Sequence, residues 1–389
     1  MVLPVLAALA GVFKVNYSRT LVDSRVFRLH YQWTTSFCFI CSALVTASDY
    51  VGDAIQCLQD YEEAPKPITT YCWISSTYTI NSTGPVSGLG LYRPKIHEQH
   101  FHSYYQWVPA VLFLQGCLFY LPHFIWKFGE KKQVDKLLQD LNKGIFDNDA
   151  KKKIENIVQY LKDTRGLNIQ YALGYFLCES LNLINVLGQM FLMNAFLGGL
   201  FMTYGIKVFK FLASNDATRN DALMETFPRV TQCNFHMFGS GGEIQKKNVL
   251  CVLPQNIINE KIYLVMWLWF IILTVATILQ LLWLLVVFYS PSLRIHRLQH
   301  HTKTTLIPAI EGAVRRMQLG DYCLLESIGC NLNHLRFREL LQGVAKLDRG
   351  VHAPTAPQLV GTYRPLYRLS ESDNTLPRKR FPQVADTSF

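Results

Sequence analysis

Charge is scarce in this sequence. Only 17% of its 389 residues are Asp, Glu, Lys or Arg, while half are hydrophobic. Soluble domains carry about 25% charged residues. The shortage argues against the two or three soluble domains that the length would allow. It fits a chain with much of its length in lipid, where charge is expensive. Other signals are missing as well. There is no nucleophile elbow, no P-loop and no metal-ligand set in a suitable context, which sets enzymes aside and implies no cofactor. No basic recognition helix or aromatic stacking pattern accompanies the net charge of +10, so nucleic acid is not an expected partner. The apolar start, Met1 to Ala10, ends on Ala8-Leu9-Ala10 like a cleavage site, but no basic segment precedes it, as a signal peptide requires. It reads instead as an apolar helix folded back toward the protein.

What is present is long apolar runs. Four stand out, at 33–51, 104–126, 171–202 and 262–289. A span needs roughly 20 apolar residues to cross about 30 Å of hydrocarbon. All four are read as transmembrane helices; the third exceeds that need and is expected to tilt or to continue outside the bilayer. Lysine and arginine set the orientation. Lys14, Arg19, Arg25 and Arg28 lie in the N-terminal segment 1–32, the run Lys151-Lys152-Lys153 in the loop 127–170, and Arg294, Arg297 and Lys303 after the last span. The positive-inside rule then places both termini and the middle loop in the cytoplasm, and the loops 52–103 and 203–261 outside. Helical periodicity at Ile307, Ile310, Val314 and Met317, and at Leu335, Leu340, Leu341 and Val344, predicts a cytoplasmic helical domain over 290–351. The Pro-, Ser- and Thr-rich stretch 352–389 reads as a disordered tail.

Ten cysteines divide by topology. Cys57 and Cys72 fall in the first outer loop, Cys233 and Cys251 in the second. An oxidising exterior favours disulfides, and four cysteines allow three connectivities among which spacing alone does not choose. Cys38-Phe39-Ile40-Cys41 spells a CxxC, but inside a span and without a second pair it reads as small residues at a helix contact.

A more specific signal opens the second span: Tyr104-Tyr105-Gln106-Trp107-Val108-Pro109. It resembles the signature of the innexins, the invertebrate gap-junction proteins. The resemblance extends in order along the chain, through Val26 to Tyr31, Tyr71-Cys72-Trp73-Ile74, Cys178-Glu179 with Asn182 to Gln189, Cys251-Val252-Leu253-Pro254, Asn259 to Tyr263, and Gly320-Asp321-Tyr322 with Arg338-Glu339. It covers roughly residues 20 to 348. It implies an all-α membrane protein: a four-transmembrane-helix bundle that is one subunit of a ring-shaped channel, with two disulfide-braced extracellular loops and a cytoplasmic helical domain. The ring, an octamer of this or related subunits, would dock onto an opposing hemichannel of the neighbouring cell at the plasma membrane. The resemblance also implies the pairings Cys57–Cys251 and Cys72–Cys233, and an N-terminal funnel in the pore mouth that puts Val2 and Leu3 at the pore. Two places depart from the family pattern: Gly239-Ser240-Gly241-Gly242, where Gly-Pro-Ser-Gly is usual, and Phe196 to Phe201, where acids are usual.

Asp49 and Asp53, where span one meets the first loop, are pore-lining candidates, since acids there would concentrate cations. Thr34, Thr35, Ser36, Ser42, Thr46 and Ser48 give span one a polar content that suits either water or neighbouring helices. In span three, Glu179, Asn182, Asn185 and Gln189 recur at helical steps, a pattern for interhelical hydrogen bonds. His97, His100 and His102 precede span two; His97-Glu98-Gln99-His100 is one residue short of the zinc motif, and a pH-sensitive rim is the alternative. Asn81-Ser82-Thr83 is a glycosylation sequon in the first outer loop. A glycan there aimed at the opposing ring would block docking and leave an undocked hemichannel. A four-span receptor without a pore is the alternative from another class.

Overall fold

In the computed structural model the chain is helical without a break from Arg25 to Val51. The structure describes residues 22–58, 65–80, 99–130, 133–138, 148–213, 222–303 and 308–352. A short helix α1 (Arg25–Arg28) passes through a π-helical stretch (Leu29–Thr34) into α2 (Thr35–Val51). Ser24 starts it by accepting the Phe27 amide on its hydroxyl at 2.9 Å, the bond that an N-cap supplies to an unpaired helix donor.

Three further helices, Tyr104–Glu130, Ile169–Phe196 and Gln255–Tyr289, are long and apolar enough to cross a membrane. The first joins a 3-10 turn (Tyr104–Trp107) to α4 (Val108–Glu130). Before it come β1 (Gln56–Leu58), α3 (Pro65–Ser75), β2 (Thr77–Ile80) and β3 (Gln99–His102). After it come α5 (Gln133–Leu138), α6 (Asn148–Asp163) and α7 (Ile169–Phe196).

The apolar stretch 171–202 is not one helix. Gly198 and Gly199 adopt φ of 64° and 88°, a left-handed conformation that glycine enters without steric cost and that commonly terminates helices. Their amides return to Ala195 and Asn194 carbonyls, and the Asn194 side chain accepts the Met202 amide at 3.1 Å. A separate helix α8 (Phe201–Ala213) follows, then α9 (Ala222–Thr226), β4 (Val230–Phe238), β5 (Ile244–Val252) and α10 (Gln255–Tyr289). Ser290 breaks the helix in extended conformation, and Pro291 begins α11 (Pro291–Thr302), at a position where its missing N–H costs nothing. The described residues close with α12 (Pro308–Arg316), α13 (Leu319–Asn331) and α14 (His334–His352).

The fold is mostly helical but not all-α. Among the described residues five strands form one antiparallel sheet in the order β1-β5-β4-β2-β3. The strands are three to nine residues long and come from two distant segments of the chain. Only β4 shows inward alternation, at Thr231 and Cys233. Local sequence patterns therefore did not reveal a sheet that long-range pairing creates.

Three apolar cores are distinct. One joins the sheet to Tyr105 and the disulfide sulfurs. A second, through Cys38, Leu112, Phe119, Met193, Tyr263 and Phe270, holds α2, α4, α7, α8 and α10 together. The third gathers α5, α6 and α11 to α14 around the opposite ends of α4, α7 and α10. In that last core Ile310, Val314, Leu340 and Leu341 are buried. Leu335, expected in the same stripe, is 57% exposed, and Phe337 takes the buried position. The buried face of α14 runs through residues 337, 340, 341 and 345, a helical repeat that begins two residues after Leu335 and so on another face of the helix.

Candidate functional site

The outer sheet is built around its sulfur bridges. Cys57 on β1 lies directly opposite Cys251 on β5, and the two form a disulfide with a Cα–Cα distance of 4.0 Å. Cys72 on α3 bonds Cys233 on β4, with Cα atoms 5.8 Å apart. One bridge thus joins two strands and the other straps a helix onto the sheet. The Cys57, Cys72 and Cys251 sulfurs lie within 4.8 Å of one another, but each belongs to a disulfide and is not a thiolate ligand. Closing loops that span 194 and 161 residues restricts the unfolded chain strongly, by about 2–5 kcal/mol per bridge.

β4 and β5 form a hairpin that ends in a tight turn: the Gly239 amide donates to the Glu243 carbonyl at 2.8 Å, and Gly242 adopts φ of 79°. Its tip carries the cross-strand pair Phe238 and Ile244, 75% and 68% exposed. Exposed apolar pairs of this kind mark contact surfaces more often than isolated exposed leucines do.

The Tyr104–Val108 motif fastens this sheet to the helices. The Tyr104 hydroxyl donates to the Thr226 carbonyl at 3.2 Å, and its ring meets Phe196 and Phe227 edge-on. Tyr105 is buried in the sheet core, 4.7 Å from the Trp73 ring. The Gln106 amide donates to the Trp73 carbonyl. Trp107 is exposed, and Val108 is buried among the bundle helices. Three consecutive residues, Tyr104 to Gln106, thus reach the sheet core, α3 and the segment at Thr226 and Phe227 before β4. The carbonyl of Pro109 accepts the Ser42 hydroxyl at 2.8 Å, which ties α2 to the same corner.

A second fastening stands nearby. Arg229, just before β4, makes a forked salt bridge to Glu260 on α10, and Lys261 adds a contact at 3.0 Å. At the opposite end, Gly320-Asp321 docks α13 against the turn before α7. Asp321 accepts the Gly166 amide and the Asn168 side-chain amide, both at 2.9 Å. A Cβ on Gly320 would lie 2.3 Å from the Asn168 backbone, so only glycine permits this approach. Glu260, Gly320 and Asp321 stood out in the sequence only through the family resemblance, and Arg229 not at all; composition carried no hint of their work as anchors.

Other candidates fall as follows. Asp49 is half-buried in the last turn of α2, with one carboxylate oxygen lacking a hydrogen bond. Asp53 is exposed beyond the helix end and accepts the Gln56 amide at 3.3 Å. Asn81, Val2, Leu3 and His97 lie outside the described residues. Thr34, Thr35, Ser42, Thr46 and Ser48 all hydrogen-bond within the protein, which accounts for much of the polar content of α2 without water. Cys38 and Cys41 are buried free thiols. Glu179 accepts the Tyr175 hydroxyl at 2.8 Å and Gln189 donates to Asn185 at 3.4 Å; both bonds stay within α7. Pro109 sits in the first turn of α4, and Pro122 lies inside it. On the sheet, Thr79 bonds the His102 ring at 2.8 Å. Burial, with repulsion from His100, pushes the His102 imidazole down to about 4.

The family model described as Innexin matches residues 23–347. The chain is 37% identical over 375 residues to Innexin inx3 of Drosophila melanogaster, covering 93% of this chain and 95% of that protein. It is 38% identical over 352 residues to Innexin shaking-B of Drosophila melanogaster, covering 88% and 94%. It is 37% identical over 358 residues to Innexin inx2 of Schistocerca americana, covering 89% and 98%. Relatedness at this level and over nearly the whole length is not confined to one motif: the chain belongs to the innexin family, whose members are the subunits of gap-junction channels.

Proposed function

We propose that this innexin subunit crosses the plasma membrane four times, within residues 33–51, 104–126, 169–196 and 262–289, and that it assembles into an octameric ring that docks through its sheet onto the ring of a neighbouring cell. The three long apolar helices support three of these spans. For the fourth, α2 packs beside α4 and shares the same core. It is about 25 Å long at about 1.5 Å per residue, and the preceding π-helical stretch extends it. The lysine and arginine excess supports cytoplasmic termini. The loops 52–103 and 203–261 are then extracellular, with the helices of 290–351 in the cytoplasm.

The observation that carries the docking reading is the disulfide-locked sheet. Both outer segments meet in one rigid unit at one end of the bundle, and its hairpin tip presents Phe238 and Ile244. A partner surface that must be matched across a gap needs a fixed shape, and a preorganised surface loses less entropy on binding. Asp49 and Asp53, at the end of α2 that faces this sheet, are proposed to line the outer pore, and Val2 and Leu3 its inner mouth.

A second reading, an undocked hemichannel, is favoured by the Asn81 sequon, which directly follows β2 of the same sheet. Paired-cell recording separates the two. Junctional current in pairs where both cells express the protein supports docking; single-cell dye uptake without such current supports the hemichannel.

A further inference from the structure

One row of side chains crosses the whole outer sheet. Leu58 on β1 lies opposite Leu250 on β5, and Leu250 opposite Gln232 on β4. Gln232 pairs in turn with Tyr78 on β2, and Tyr78 with Phe101 on β3. Directly opposed residues stand on one face of a sheet, and their neighbours along the strand on the other. The row therefore occupies the face away from the buried Thr231 and Cys233. Its middle is closed: Tyr78 is 2% exposed, and its hydroxyl donates to Asn234 at 3.1 Å. Its two ends are open. Leu58 and Phe101 are each 64% exposed. Across the gaps between five strands they stand about 19 Å apart, at about 4.8 Å per gap.

These ends sit on the outermost strands. Among the described residues no strand lies beyond β1 or β3. An open edge offers unpaired backbone groups, and proteins guard it with charged side chains or cover it. Neither β1 nor β3 contains Lys, Arg, Asp or Glu. Each instead presents a large exposed apolar side chain, the mark of a surface that meets a partner. A closed ring of like subunits says which partner. Rotation about the ring axis joins two different surfaces, one from each flank of a subunit. The opposite edges of one sheet supply such a pair, leucine on one flank and phenylalanine on the other, aligned because they end the same row. The hairpin tip cannot supply it, since Phe238 and Ile244 are paired on a single element.

We propose that within the ring Phe101 of each subunit packs against Leu58 of the partner subunit, so that the β3 edge of one outer sheet covers the β1 edge of the next. The contact is lateral, between subunits in one membrane. Repeated around the ring, it joins the outer sheets into a continuous wall. The inference rests on the ring assembly proposed above and is independent of docking between cells.

The test uses the full-length protein expressed in isolated cells and extracted in detergent, with the fraction in rings read by size-exclusion chromatography and particle images. Leu58→Asp alone and Phe101→Lys alone should each lower that fraction at least about tenfold, because every contact then sets an unpaired charge against an apolar side chain. The double variant should restore rings, since each contact now joins a carboxylate to an ammonium. Co-expression of the two single variants should restore them too: in an even-numbered ring the subunits alternate, and charged contacts alternate with the native apolar one. Leu58→Ala and Phe101→Ala, which shorten the contact without adding charge, guard against a charged variant that does not fold, and both should also lower the ring fraction. Rings at the wild-type level in both alanine variants would overturn the proposal. So would failure of the double variant and of the co-expressed pair to form rings while β4 and β5 keep their hydrogen-exchange protection. Rescue of Phe101→Lys by Phe101→Asp would overturn it as well, because phenylalanine would then meet phenylalanine. Wild-type protein that forms no ring would undo the assembly reading and this contact with it. Absent paired-cell current beside intact wild-type rings would undo only the docking reading.

Discussion

The guanidinium of Arg229 holds both carboxylate oxygens of Glu260, at 2.9 to 3.2 Å, across the boundary between the outer sheet and α10. The Glu260 side chain is 1% exposed. A carboxylate taken that far from water needs its partners, and removal of one leaves an uncompensated charge. The pair therefore couples the shape of the sheet to the position of a membrane helix. Arg229→Ala should lower the stability of the purified protein by about 3 kcal/mol, the low end for breaking a buried pair, because Lys261 still reaches Glu260. Thermal melting in detergent checks this. An unchanged melting temperature would mean that Lys261 alone suffices.

The two disulfides do different mechanical work. Replacing Cys72 and Cys233 together by serine frees α3 from β4, while β1 stays pinned to β5. Each double replacement should cost about 2–5 kcal/mol. Hydrogen exchange resolves the difference: loss of Cys72–Cys233 should raise exchange in α3 first, and loss of Cys57–Cys251 should raise it in β1.

Acid should loosen the sheet at β3. The His102 imidazole sits near 4, below its ordinary value of 6.5, chiefly because burial disfavours the charged form. The unfolded segment therefore binds a proton that the folded sheet refuses. The stabilisation is fully present above pH 6.5 and is lost as pH falls toward 4. Exchange protection of the Thr77–Ile80 and Gln99–His102 amides should fall over that window, and His102→Gln should flatten the dependence.

Gly320→Ala should separate the cytoplasmic helices from α7. The added methyl would meet Asn168 backbone, which cannot rotate away. Overpacking of this kind costs about 1–3 kcal/mol, and the Asp321 hydrogen bonds to Gly166 and Asn168 depend on the same approach. Faster proteolytic cleavage between α6 and α7 is the expected outcome, with the outer sheet unaffected.

The sequence made the helices legible because apolar runs of roughly 20 residues need only length and composition to be seen. Their ends were less so. The stretch 171–202 reads as one run because Gly198 and Gly199 are apolar in composition, and only their positive φ shows the break. The sheet was hidden, since β1, β2 and β3 are too short to show a period and pair with partners far along the chain. Tyr104 to Val108 was visible as a motif, but not as a staple. That role depends on Thr226, Trp73 and Phe227, which approach only after the fold closes. By sequence the hydroxyls of span one suit either water or neighbouring helices; in the structure they bond to protein carbonyls and to the Trp269 indole.

The docking face is tested most directly at the hairpin tip. Phe238→Glu combined with Ile244→Glu places charge on the exposed pair without touching either disulfide. Junctional conductance between paired cells that both express the variant, measured beside single-cell dye uptake, is the decisive reading. Docking through the sheet predicts lost junctional current with dye uptake retained. Junctional current at the wild-type level in the charged variant would contradict it.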